Sequence, residues 1–153
     1  MIFVCTAVAF VAAYDVRPRF KQQYIAVLFP GDRLGAEMSR RYRAMTGKPL
    51  AYVIGSMWDG GNIGHYAPEH PRVLIDGRPS RAPWIDLGDL RARGAVVVWT
   101  GGSPSALPLA YRAIADDAEI QPPFTLPMRL GAGTVSVSWA VLRPRPVVAG
   151  GEK

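Results

Sequence analysis

The chain is predicted to fold as a three-layer, Rossmann-like α/β domain whose mostly parallel sheet ends in an antiparallel C-terminal hairpin. Three observations predict this. Short β-branched runs at residues 51–56, 72–76 and 95–100 are bounded by turn residues and read as buried strands. Segments of helical spacing separate them, which is the alternation of a parallel sheet with crossovers. Finally, Val135, Val137, Trp139 and Val141 alternate with Ser136, Ser138, Ala140 and Leu142, as a strand with one buried face requires.

At 153 residues, with 49% hydrophobic and 20% charged residues, the chain is long enough for one core and is not of disordered composition. Residues 1–20 read as an apolar N-terminal segment and linker, 21–145 as the α/β domain and 146–153 as a flexible tail. The apolar residues 2–14 are shorter than the roughly 20 needed to span a bilayer. They fit a core element, a signal without its basic start, or the end of a membrane helix, and Arg17, Arg19 and Lys21 follow them.

Residues 24–29 read as a first strand closed by Pro30-Gly31. Asp32 then stands as a helix N-cap, and Leu34, Met38, Tyr42 and Met45 give an amphipathic helix ended by Gly47 and Pro49. Residues 57–66, after the second strand, hold Gly60, Gly61 and Gly64 and read as a short helix or an ordered binding loop. Asp76-Gly77 is a turn pair. Asp86 caps a helix over 87–93, with Asp89 three positions on. The strand at 95–100 leads into Gly101-Gly102-Ser103-Pro104-Ser105 and then a helix over 106–118, with Pro108 in its first turn or at a kink. Residues 119–128 and 134–143 form the hairpin, and Pro122, Pro123 and Pro127 confine the first of these strands to an edge.

In such a sheet ligands bind beyond the carboxyl ends of the strands, so residues 56–66 and 76–86 are expected on the working rim. The net charge of +6 favours anionic partners, but the arginines are dispersed and no nucleic-acid module accompanies them, so no nucleic-acid partner is expected. Cys5 is alone, which excludes an intrachain disulfide, and its apolar neighbours do not activate a thiol. His65 and His70 lack zinc-ligand spacing, so no metal and no cofactor is expected. Ser103, His65 and Asp59 do not have the spacing of a hydrolase triad. Asp59, Glu69, Asp76 and Asp86 are carboxylates on one edge, from which chance pairs arise. Gly101, Gly102, Ser103 and Ser105 sit between strand and helix as a phosphate cradle would, without the nucleotide-binding fingerprints. Trp58 and Trp84, each in a segment that follows a strand, are either lids on the core or stacking platforms for a sugar or base.

A string of motifs spans residues 29–99. It comprises Phe29-Pro30-Gly31, Thr46-Gly47-x-Pro49-Leu50-Ala51-Tyr52-Val53, Trp58-x-x-Gly61-Asn62, His65-Tyr66, His70-Pro71, Pro83-Trp84-Ile85-Asp86 and Gly94-Ala95-Val96-Val97-Val98-Trp99. In this string the chain resembles the C-terminal soluble part of bacterial family 39 membrane glycosyltransferases, relatives of protein O-mannosyltransferase and the lipid A aminoarabinose transferase. The resemblance implies an accessory domain at the periplasmic face of the inner membrane, partnered with a membrane part that uses a polyprenyl-phosphate sugar donor. It implies no catalytic residue in this chain, because the family's catalytic carboxylates belong to the membrane part, so the isolated domain is expected to be inactive. Trp58, Asp59, Asn62, His65 and Trp84 are then the expected ligand-binding residues, facing a sugar or a lipid-phosphate head group. The alternative is a free-standing cytoplasmic nucleotide- or phosphate-binding protein that uses Gly101, Gly102, Ser103 and Ser105.

Overall fold

The structure, a computed structural model, describes residues 26–131 and 133–145. The described strands are β1 (Tyr52–Gly55), β2 (Arg72–Ile75), β3 (Ala95–Thr100), β4 (Glu119–Pro127) and β5 (Thr134–Leu142). Among the described residues they form one mixed sheet in the order β2-β1-β3-β5-β4. β1 lies between β2 and β3 and is parallel to both, whereas β5 runs antiparallel to β3. The expected parallel core and antiparallel edge are present, and the proline-bearing β4 takes the edge position, where its missing N–H groups break no inner ladder.

Among the described residues four α-helices accompany these strands: α1 (Gly31–Thr46), α2 (Met57–Tyr66), α3 (Leu87–Arg93) and α4 (Leu109–Ala115). α1 buries Leu34, Met38 and Tyr42, spaced by one turn, and stops at Gly47, whose φ of 70° suits glycine. Asp32, expected as its cap, is instead its second residue, where the carboxylate still favours the helix dipole. α3 has the expected cap: the Asp86 Oδ1 accepts from the Gly88 and Asp89 amides at 2.7 and 3.1 Å. α4 is shorter than the sequence suggests, starting only at Leu109 with Pro108 at its cap position. Pro108 lacks an N–H and holds Leu107 extended, so the helix has no path back towards Gly101.

The glycines of α2 are packing residues. Side chains placed at Gly60 and Gly64 would meet the two Val73 methyl groups at 2.7 Å, so their absence lets α2 lie close on β2. Gly35 does the same between α1 and α2, where a Cβ would come within 2.6 Å of the Ala67 nitrogen. Of the two expectations for residues 57–66, a short helix or an ordered loop, the structure has the helix, and its glycines hold it close to its neighbours.

Tyr52, Ile54 and Leu74 of the sheet pack with Leu90 of α3 and Tyr111 and Ala115 of α4 in one buried cluster. Their neighbours on β1 and β2, Val53 and Val73, have the opposite parity, and Val73 receives α2. The described chain divides into two compact units, residues 31–124 with 136–145, and residues 26–30 with the described part of 125–135. In the smaller unit Leu28 is buried with Met128. Ala26–Leu28 is a single 3-10 turn and not the expected strand, whose residues 24 and 25 lie outside the described residues. Pro30 restricts this stretch, and Leu28 finds its burial against Met128 without joining a ladder.

Candidate functional site

Because β1, β2 and β3 run the same way, Ser56, Asp76 and Thr100 emerge at one edge. The Asp76 amide donates to the Gly55 carbonyl at 2.8 Å, which ties the ends of β1 and β2 together. The chain leaves β1 towards β2 but leaves β3 towards the hairpin, so the crevice between the ends of β1 and β3 is a topological switch point.

Asp59 lies buried at that point, between the ends of β1 and β3. Ser56 caps α2, its Oγ accepting from the Asp59 amide at 2.9 Å, and the same hydroxyl donates to the Asp59 carboxylate at 3.0 Å. From β3 the Thr100 hydroxyl donates to the same carboxylate. Asp59 is 4% exposed, and burial pushes its carboxyl above the ordinary 3.8, opposed in part by these hydroxyl donors. Tyr111 stands close by, its hydroxyl pushed up to about 12 by burial and then by the charges of Asp59 and Asp76. Asp76 pairs with Arg81. Between Gly94 and Tyr111 the sequence has no Lys or Arg, so the cations of this rim are Arg78 and Arg81, the second of them paired with Asp76.

The other expected site residues divide into separate groups. Trp58, Asn62 and His65 follow one face of α2 at helical spacing, whereas Asp59 turns inward to the sheet. Trp58 is 45% exposed in the first turn, and His65 and Tyr66 are exposed in the last, their rings edge to face with centroids 4.5 Å apart. At 1.5 Å per residue about 10 Å separates the two ends of this stripe along the axis. Asn62 is engaged in structure, since its amide donates to the Trp58 carbonyl at 2.8 Å and its oxygen lies where a Gly31 side chain would project. Trp84 is 60% exposed on a different element, the turn between Pro79–Arg81 and α3. Both tryptophans are surface rings, and the core is closed by others, Trp99 and Trp139. Tyr66 was not among the expected site residues. Its position one residue after His65 on the stripe is the signal that marks it.

In the glycine loop, Gly101 and Gly102 have φ of 81° and 72° and open space where a side chain would stand. Ser103 and Ser105 bond to each other at 3.2 Å, and the Trp99 indole N–H donates to the Ser103 carbonyl. Among the described residues no group of three metal-ligating side chains occurs, and no helix is long and apolar enough to cross a membrane. The chain matches no protein-family model, no curated protein and no solved structure.

Proposed function

We propose that the chain is a non-catalytic accessory domain of a membrane glycosyltransferase that uses a polyprenyl-phosphate sugar donor, placed at the periplasmic face of the inner membrane. Its fold is read as Rossmann-like with three layers, on the support of α2 lying over Val73 and of α3 and α4 packing with Tyr52, Ile54 and Leu74. The observation that carries the functional reading is the stripe of exposed rings on α2, Trp58, His65 and Tyr66. Such rings stack on the apolar faces of sugars while their polar edges stay wet. Beside them the Asp59 carboxylate and the Ser56 and Thr100 hydroxyls offer polar partners of the kind a hydroxyl-rich group uses.

The test is transfer by the complete membrane enzyme with and without this domain, and with Trp58→Ala and Tyr66→Ala in it. Loss of transfer on deletion and a weakened KM for donor or acceptor in the point variants support the reading. Transfer unchanged by deletion overturns it.

A second reading has one observation in its favour, the open space around Gly101 and Gly102. A free-standing cytoplasmic protein would bind a phosphate or nucleotide there through backbone amides and the Ser103 and Ser105 hydroxyls. Calorimetry with a nucleotide panel and inorganic phosphate decides it, heat of binding supporting it and none removing it.

A further inference from the structure

The outward face of α1 carries a cluster of cations, on residues other than those of the Asp59 site and the ring stripe. Between Asp32 and Lys48 the sequence carries five cations and two anions. Arg33, Ala36, Arg40 and Arg43 recur every three or four residues along one exposed arc, with Ala44 beside them, while Leu34, Met38 and Tyr42 occupy the buried arc. Lys48 continues the exposed side just past the helix end. The anions nearest this face are held from within. Glu37 accepts from Arg40 at 2.7 and 2.9 Å and from Arg41 at 2.7 Å. Glu69 accepts from the buried Ser39 hydroxyl and from Arg43, both at 2.5 Å. Among the described residues Arg33 and Lys48 have no ion pair.

Between the arginines the face is low. Ala36, Ala44 and Pro68 wall an open groove of ≈ 490 Å³ whose floor is the Ser39–Glu69 hydrogen bond. Small residues between long cationic ones leave the guanidinium groups projecting together beside this open groove. This arrangement suits a plane of negative charge better than a single concave-bound anion. No aromatic side chain stands among the exposed residues of this arc, so a single-stranded nucleic acid would find no stacking platform there.

We propose that the exposed face of α1, with Arg33, Arg40, Arg43 and Lys48, docks on an anionic phospholipid surface. Each cation near such a surface strengthens the attraction by about fivefold, and the effect is screened within a Debye length. The proposal goes beyond the glycosyltransferase reading and stands apart from it, because vesicle binding is measured with no sugar donor present.

The test is co-sedimentation of the whole chain with vesicles of phosphatidylcholine alone and of phosphatidylcholine mixed with phosphatidylglycerol, at low and high salt. The expected result is binding to the mixed vesicles only, weakened by salt and reduced at least about 25-fold in R33E/K48E. Both positions are exposed, so that variant keeps its fold, which a thermal melt verifies, and Arg78→Ala, at an exposed cation off α1, serves as a second variant that retains binding. Four results overturn the proposal: equal binding to neutral vesicles, binding that R33E/K48E leaves intact, binding to duplex DNA tighter than to the mixed vesicles, and no binding to the mixed vesicles. Inorganic phosphate that perturbs the Arg43 and Ser39 resonances in the absence of vesicle binding also overturns it, by making the groove a site for a free anion.

Discussion

The Thr100 hydroxyl lies 3.1 Å from each carboxylate oxygen of Asp59, joining the end of β3 to the first turn of α2 across 41 positions of sequence. Asp59 thereby holds the two walls of the crevice together. It does so with the Ser56 and Thr100 hydroxyls and the Thr100 backbone amide, and burial raises its carboxyl above 3.8.

The sign of the resulting pH dependence follows from linkage. A carboxyl whose folded value is raised above the unfolded one binds its proton more tightly in the native state. Its contribution is most favourable below 3.8 and is lost as pH rises through the raised value. Asp59→Asn is therefore expected to be at least as stable as the native chain at pH 7, and to flatten the stability profile in the acid range just above 3.8. Asp59→Ala leaves two hydroxyls without their acceptor and is expected to lose about 1–3 kcal/mol. Urea denaturation across pH measures both, and an Asn variant much less stable than the native chain at pH 7 would show that the negative charge itself is needed.

Glu37 titrates with the opposite sign. The Arg40 hydrogen bond lowers it from 4.5 to about 2, burial opposes, and Arg41 assists. Its stabilisation is present above 4.5 and is lost as pH falls towards 2. The group is near the surface, so Glu37→Gln is expected to remove only about 0.3–1 kcal/mol at neutral pH and nothing near pH 2. A loss independent of pH would contradict this.

Glycine substitutions separate packing from propensity. At Gly35 a methyl group would press on the Ala67 and Tyr66 backbone, and at Gly64 on a Val73 methyl. Gly35→Ala and Gly64→Ala are each expected to cost about 1–3 kcal/mol. At Gly61, on the same helix, nothing lies within 4 Å, so Gly61→Ala is expected to add about 0.5–1 kcal/mol. Thermal melts of the three variants should move in these opposite directions.

Asp86 carries both side-chain caps of the seven-residue α3, which delivers the buried Leu90 to the core. Asp86→Ala is expected to cost about 1 kcal/mol, and Asp86→Ser much less. Equal loss in the two variants would place the role of Asp86 elsewhere.

The sequence made the sheet legible wherever a strand is short, β-branched and closed by a turn, as at Val53-Ile54, Val73-Leu74 and 95–100. The Asp86 cap was equally readable, because its partners are two and three residues away. What could not be read depends on distant partners. Gly60 and Gly64 look permissive until Val73 is placed against them. Asp59 looks like one of several rim carboxylates until Thr100 arrives from 41 residues on. Residues 26–29 have strand composition, but Leu28 is buried with Met128, from nearly the far end of the chain. Trp58 and Asn62 were readable as neighbours on one segment. That Asn62 would turn to the Trp58 carbonyl and to Gly31 was not, because the approach of α1 decides it.

The functional claim is tested most directly by amide chemical-shift mapping of the chain during titration with a short-chain prenyl-phosphate sugar in mild detergent. The account predicts saturable shifts concentrated at Trp58, His65 and Tyr66, lost in Trp58→Ala. Shifts centred on residues 101–105, or none that saturate, would contradict it.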